Sequence, residues 1–296
     1  MSTKPIAIRP ARPLSVGRLR AQVPRIATLV LLGLVALVFA IPFYWLLISS
    51  VKTVGELRAI PPTWWPHTFT LANFPRAWSG QFGRFMLNSF VYAGLSTVII
   101  TFTSSLIGYV LIKDRSRLGE WFFWFVLSAA MVPFVTYLLP LFLVLLKIQD
   151  VLGVPVINTY AGMVLPWVVN PFGIFLMRQA MFGVPDELLD AARIDGASDF
   201  TTFARIVFPL VQQSAAALMI LSFIFRYDDL LWPLVVAQDQ SMYPVTVGLA
   251  EFVGDYFTEL DLFNAAALMA MLPIAVIYFF LQRYIVEGIA TQGLRG

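Results

Sequence analysis

The sequence predicts an all-α membrane protein with six transmembrane helices, and three observations carry that expectation. Hydrophobic residues make up 59% of the 296 residues, and mean hydropathy is +0.80. Charged residues make up 12%, about half the share usual in a soluble domain. The apolar residues gather into six runs, approximately 26–50, 86–112, 121–146, 160–181, 213–236 and 262–284. Each is close to or above the roughly 20 residues that a helix needs to cross a bilayer core. Barrel strands would be about 10 residues long and strictly alternating, and these runs are longer and continuous.

Residues 1–25 hold Lys4, Arg9, Arg12, Arg18, Arg20 and Arg25 and no acid. A basic arm for nucleic acid is one reading. The apolar run that follows at once favours a positive-inside anchor instead, so no nucleic-acid partner is expected. A signal peptide's apolar core is about 7–15 residues long, much shorter than the run here, which therefore reads as a permanent first helix. With the N-terminus in the cytoplasm, segments 1–25, 113–120, 182–212 and 285–296 are cytoplasmic. They hold or flank fourteen of the 20 Lys and Arg residues. Lys52, Arg58, Arg76, Arg84 and Lys147 fall outside, and Arg226 falls within a span. That bias fixes the expected orientation: a multi-pass chain in membrane lipid, both termini cytoplasmic. Its parts are a basic tail (1–25), a six-helix domain (26–284) and a short C-terminal tail (285–296).

The first outer loop contains "IPPTWWPHTFTLANFPRAW". Pro61, Pro62 and Pro66 make it irregular, as either a docking surface or a cap on the bundle. Within or beside the spans stand Pro42, Pro133, Pro140, Pro166, Pro171 and Pro273, read as tolerated kinks or as breaks that expose backbone along a pathway. Asn88, Asn170 and Asn264 are candidates either to bridge helices or to bond a solute hydroxyl. Arg226, Asp228 and Asp229 cluster near the outer end of the fifth span. Ionisable groups at that depth are costly, so they form either a polar wall of a translocation path or a mutual ion pair. Trp45, Trp121 and Trp167 read as interfacial anchors or packing residues, with stacking on a bound solute as the alternative.

Several chemistries are excluded by what the chain lacks. It has no cysteine, so no thiol chemistry, and His67 is its only histidine, so no His-based metal site. No Gly-x-Ser-x-Gly or His-Glu-x-x-His occurs, so no catalytic residue is expected. No Gly-x-x-x-x-Gly-Lys-Ser/Thr occurs either, so the chain is expected to bind neither ATP nor another cofactor.

The densest charge lies in the fourth-to-fifth-span loop (182–212), in "PDELLDAARIDGASDF" from Pro185 to Phe200, with Asp186, Glu187, Asp190, Asp195 and Asp199. Pro185 suits the first turn of a helix, and the acids after it favour the positive end of the helix dipole. Leu188, Ala191 and Ala192 share a face by 3–4 spacing, and Gly196 is a natural stop. Ser198 caps a second short helix with Phe200, Phe203 and Val207 inward, ended by Pro209. A helix of about 10 residues is marginal alone and needs something to dock against. Membrane-surface helices favour Lys and Arg on their polar face, so an acidic helix points to a protein partner.

"PDELLDAARIDGASDFTTFARIVFPL" resembles the coupling loop of ATP-binding-cassette importer permeases. Asp190-Ala191-Ala192, then Gly196, then Pro209-Leu210 stand where that family keeps them, with Asp195 and Ala197 flanking the glycine. Asp190 replaces the family's Glu. "PFGIFLMRQAM" and "DDLLWPLVV" resemble the carbohydrate branch, although Tyr227-Asp228 stands where a Trp-Asn pair is common. "QRYIVEGIATQGLRG" resembles the tail of the maltose-type second permease. The resemblance covers nearly all of the chain from about residue 26. It implies a type I importer permease fold in a prokaryotic inner membrane and a heterodimer with a second permease. It also implies two ATPase subunits that hold ATP and Mg, and an extracytoplasmic binding protein that delivers a sugar. Glu187, Asp190, Ala191, Ala192, Asp195, Gly196 and Ala197 would form the ATPase contact, and Gln292 and Gly293 a second contact from the tail. Asn88, Asn170, Arg226, Asp228 and Asn264 are the candidates for the substrate path. The alternatives are a permease for glycerol-phosphate or another small polar solute, and, in a different class, an ion-coupled secondary transporter.

Overall fold

The computed structural model describes residues 16–114, 116–255 and 259–293, with side chains over 27–114, 116–250 and 259–284. Among these residues there are helices and connecting turns and no strand. The basic residues before Val16 lie outside this range. α1 (Val16–Ser50) follows the first expected span. Its apolar side chains from Leu29 to Leu47 are largely exposed on the chain, as suits a helix surrounded by lipid.

Two short helices, α2 (Val54–Leu57) and α3 (Asn73–Ala77), order the loop after α1. Asn73 Nδ2 donates to the carbonyls of Ser50 and Lys52, each at 2.9 Å. The buried Lys52 ammonium donates to the Thr63 carbonyl and lies 4.8 Å from the centre of the Trp45 ring. Trp45 also meets Trp64 edge to face at 5.5 Å. The Glu56 carboxylate accepts from Thr63 Oγ1 at 2.9 Å and from the His67 backbone N–H at 2.8 Å. The His67 N–H is the main reason that the carboxyl sits below the usual carboxylate range. The loop is therefore an ordered cap on the C-terminal end of α1.

α4 (Gly83–Lys113) is the central helix, packed most extensively against the helices at 171–181 and 212–227. Its buried side mixes small residues (Ser89, Ala93, Ser96, Ser104, Ser105 and Gly108) with large ones such as Tyr92 and Ile100. Small side chains let membrane helices approach closely. A Cβ added at Gly108 would lie 3.0 Å from the Arg178 backbone nitrogen, and one at Gly173 2.4 Å from Ser104 Oγ.

The third expected span, 121–146, is not one helix. α5 (Arg117–Ala129) begins at Ser116, whose Oγ accepts from Gly119 N–H at 3.2 Å. The chain then breaks, and Pro133 leads into α6 (Phe134–Leu152). Pro133 lacks an N–H and disfavours helical backbone at Val132, which explains the break. α6 alone is long and apolar enough to span, with Pro140 inside it.

α7 (Tyr160–Val164) runs through a 3-10 turn, Leu165–Trp167, and bends by 48° into α8 (Pro171–Met181). α9 (Asp186–Ile194) and α10 (Asp199–Thr202) form the acidic loop. A π-turn, Phe203–Val207, and α11 (Phe208–Leu210) follow, with an 81° bend into α12 (Gln212–Tyr227). The fifth expected span, 213–236, is interrupted at 228–230 before α13 (Leu231–Val236). α14 (Val245–Asp255) and α15 (Leu260–Gly293) complete the chain. Among the described residues, four stretches are long and apolar enough to cross a membrane: Ala27–Ser50, Asn73–Lys113, Phe134–Leu152 and Leu260–Tyr284. Each bent pair counted as one broken span gives six.

The deepest packing surrounds α4. Trp232 is fully buried, and its indole N–H points at the carbonyls of Met163 (3.0 Å) and Gly162 (3.3 Å). A second core joins Tyr109, Met177, Met181, Phe203, Val207 and Leu218, and so roots the acidic loop in the bundle.

Candidate functional site

Two places carry functional geometry. The first is α9. Pro185 is its N-cap, with extended backbone, and the helix proper starts at Asp186, one residue later than the sequence suggests. Asp186 and Glu187 occupy the first turn, where the helix dipole favours negative charge. At the other end Gly196 adopts φ +74°. Its N–H donates to the Arg193 carbonyl at 3.1 Å, and the Ala197 N–H donates to the Ala192 carbonyl at 3.0 Å. This pair of bonds is a Schellman cap, which requires a left-handed residue at position 196 and hence glycine. Ser198 then caps α10 by accepting from Thr201 N–H at 3.2 Å.

The inner face of α9 is Leu189 and Ala192, with Ala192 only 4% exposed. Leu188 and Ala191 point the other way. Together with Ile194, which is 86% exposed, they form an apolar strip on the free side. Glu187, Asp190, Asp195 and Gly196 are exposed around that strip, and Ala197 is half-buried. Asp190 pairs with Arg193 at 3.1 Å. Beneath the helix, Phe203 and Val207 are buried as the sequence suggests, but Phe200 is 64% exposed and not on the inner face. Phe200 comes one turn before Phe203, ahead of the π-turn that carries Phe203 and Val207 into the core. Lys113 at the end of α4 forms an ion pair with Asp199. Just upstream, the Arg178 guanidinium stacks on Phe123 at 3.9 Å and bonds Glu120 at 2.9 Å, tying α8 to α5.

The second place is a cavity of about 390 Å³ where the break before α8 faces the end of α12. Asn170, Phe172, Ser222, Phe225 and Arg226 are among its lining residues. Asn170 caps α8, its Oδ1 accepting from Gly173 N–H at 2.7 Å. Arg226 bonds Asp229 at 2.9 Å and lies 3.7 Å above the Trp167 ring. Asp229 also accepts from Tyr92 Oη at 2.8 Å, and Tyr92 Oη accepts from Trp167 Nε1 at 2.8 Å. Asp228 is exposed beside this network.

The other path candidates lie elsewhere. Asn88 is fully buried. Its Nδ2 donates to the carbonyls of Ser241 (2.8 Å) and Tyr243 (3.0 Å), and its Oδ1 accepts from Tyr160 at 2.6 Å. Both of its donors are therefore engaged within the chain. Asn264 donates to the Leu260 carbonyl of its own helix at 2.6 Å. Trp167 has Arg226 at 3.7 Å and Phe134 at 5.5 Å, so it is a packing residue with its neighbours already in place. Gln292 and Gly293 close α15, where only the backbone course is described, and their contacts lie outside the described side chains.

This arrangement combines a bundle of long apolar helices with a capped acidic helix standing free at one end. Residues 103–291 match the family described as "Binding-protein-dependent transport system inner membrane component". The chain belongs to that family. It is a multi-pass inner-membrane component of a transport system that depends on a binding protein. Similar proteins include the arabinooligosaccharides transport system permease AraQ of Halalkalibacterium halodurans, 33% identical over 88% of this chain and 93% of the relative. The melibiose/raffinose/stachyose import permease MelC of Bacillus subtilis is 32% identical over 94% and 99%. The sn-glycerol-3-phosphate permease UgpE of Escherichia coli O1:K1 is 32% identical over 90% and 95%. A solved bacterial ABC transporter involved in import of the acidic polysaccharide alginate superposes with a TM-score of 0.73. It covers 95% of this chain and 99% of its own at 20% identity, a likeness of fold.

Within this inner-membrane component, the residues that sequence reasoning missed are Tyr92 and Ser222, and the bonding role of Asp229. Tyr92 is 137 positions from Asp229. A polar residue in the middle of an apolar run is the only local signal it gives.

Proposed function

We propose that this chain is one half of the membrane pathway of an ATP-driven sugar importer, and that α9 couples it to the ATPase. A second, different permease would complete the pathway, two ATPase subunits would hold ATP and Mg, and an extracytoplasmic binding protein would deliver the solute. Sugar as the cargo is supported by relatives named for arabinooligosaccharides and for melibiose, raffinose and stachyose. The observation that carries the coupling role is the free face of α9. A short helix exposes Leu188, Ala191 and Ile194 among the carboxylates of Glu187, Asp190 and Asp195, with Arg193 paired to Asp190, yet is anchored below by Ala192 and the Phe203–Val207 core.

Such a face suits a cleft with basic rims. Small alanines allow close approach, and the exposed carboxylates match Lys or Arg. Because α9 is capped at Gly196 and continues into α10, a push on it reaches α12 through the 81° bend. Coupling of this kind works only if the docked helix biases a two-state bundle. The orientation with α9 and both termini in the cytoplasm follows from the distribution of Lys and Arg.

The test is uptake by the complete importer in proteoliposomes. Uptake stops when the nucleotide site of the ATPase subunit is inactivated, even with ion gradients intact. Uptake that persists and follows the ion gradient would instead support an ion-coupled transporter.

A further inference from the structure

The cavity between the break before α8 and the end of α12 is lined by one cationic side chain, Arg226, and that side chain is already paired. Arg226 and Asp229 are buried together, with side chains 16% and 11% exposed, and their contact is 2.9 Å. Tyr92 donates to the same carboxylate oxygen, and the backbone N–H of Trp232 lies 3.4 Å from the other. Trp167 covers the guanidinium from one side. Asp229 is thus fixed from three elements and cannot swing away without leaving those donors unmatched. Among the cavity's lining residues there is no further Lys or Arg. Asp228 adds a negative charge close by.

What remains for a solute is neutral. Phe172 and Phe225 are 46% and 61% exposed and offer ring faces. Asn170 uses its Oδ1 to cap α8, and its Nδ2 has no partner among the described residues. Ser222 Oγ likewise makes no hydrogen bond among them. A cavity of about 390 Å³ is within the range of small-molecule sites. An anion brought to Arg226 would sit beside the Asp229 carboxylate, and two like charges at that distance oppose each other.

We infer that Asp229, by neutralising Arg226, sets the charge preference of this cavity, which accepts a neutral sugar and disfavours an anionic solute. The inference rests on the sugar-import reading and narrows it. It sets the chain with relatives named for neutral oligosaccharides and apart from the relative named for sn-glycerol-3-phosphate.

Because the chain has no cysteine, a single thiol can report the local potential. Phe225→Cys places that thiol on the cavity wall. Its modification rates are measured in the purified full-length protein with a cationic (trimethylammonioethyl) and an anionic (sulfonatoethyl) methanethiosulfonate. The rate ratio is referenced to free 2-mercaptoethanol. The expected cation-to-anion ratio is at or above the reference. Adding Asp229→Asn unmasks Arg226 and lowers the ratio on the order of tenfold. Adding Arg226→Gln, a second variant in case the first does not fold, raises it. A Phe225→Cys ratio well below the reference, or no response to either charge change, overturns the inference. Failure of both reagents to react also overturns it, because the cavity is then not open to water. These outcomes are independent of ATP-driven uptake, so the sugar-import reading can stand if the charge assignment fails, and the reverse.

Discussion

Gly196 lets two effects be separated by substitution. Its φ of +74° is a conformation that costs a side-chain-bearing residue about 1–2 kcal/mol. A Cβ added there meets nothing within 4 Å, and the position is exposed, so a larger side chain can extend into solvent. In the isolated protein, Gly196→Ala and Gly196→Trp therefore carry nearly the same backbone cost, and their thermal unfolding midpoints agree closely. Gly196→Asn, whose side chain tolerates the left-handed region, recovers part of that cost. In the assembled importer the two part company. Ala leaves the surface of α9 small, whereas Trp adds a ring at the edge of the docking face and blocks seating. The assay is ATP-driven uptake per ATP hydrolysed in proteoliposomes, beside the unfolding midpoints. The Trp variant should hydrolyse ATP without transport, and the Ala variant should transport with modest loss. Normal coupling in the Trp variant, or a much larger destabilisation by Trp than by Ala in the isolated chain, would refute the argument.

Other outcomes follow from the same geometry. Asp190→Lys with Asp195→Lys reverses charge on exposed positions, so it should weaken co-purification with the ATPase while leaving the unfolding midpoint nearly unchanged. The purified chain alone should show no ATP hydrolysis in a phosphate-release assay, since it lacks a phosphate-binding loop. Trp232→Ala removes a fully buried ring and its carbonyl contacts and should destabilise by about 3–5 kcal/mol, read from unfolding in detergent. Glu56 has a depressed folded pKa, so its support for the cap on α1 is present above the ordinary carboxylate pKa. That support is lost as pH falls through the lower folded value. Glu56→Ala should loosen the loop already at neutral pH, detected as faster proteolysis near Trp64 and Trp65.

The parts legible in the sequence are those set by neighbouring residues. Gly196 as a helix stop, Ser198 as a cap and the acids in the first turn of α9 depend on bonds spanning a few positions, and each is found where the pattern puts it. The apolar runs likewise reveal the long helices, because hydrophobic length is a local property. The third span was misjudged since Val132–Pro133 weighs little in a hydropathy average yet removes the backbone N–H and geometry that a continuous helix needs. The face of α9 was assigned by spacing alone. Spacing cannot tell that Leu188 and Ala191 look outward while Leu189 and Ala192 look in, because that depends on how the loop docks on Met181 and Phe203. Arg226, Asp228 and Asp229 stood out as charges in an apolar segment. The partners that settle their bonding, Tyr92 and Trp167, lie on other helices far away in sequence, and no local pattern names them.

Proximity of α9 to the ATPase is the central claim, and a single thiol can measure it. The cysteine-free chain carrying Ala191→Cys is assembled with its ATPase, which bears one cysteine in the surface cleft, and oxidative cross-linking is followed by gel mobility. The account predicts a permease–ATPase product that forms readily at position 191 and not at an outer-loop control such as Trp65→Cys. A product that forms equally from the control, or none from position 191 in an assembled and active complex, would contradict it.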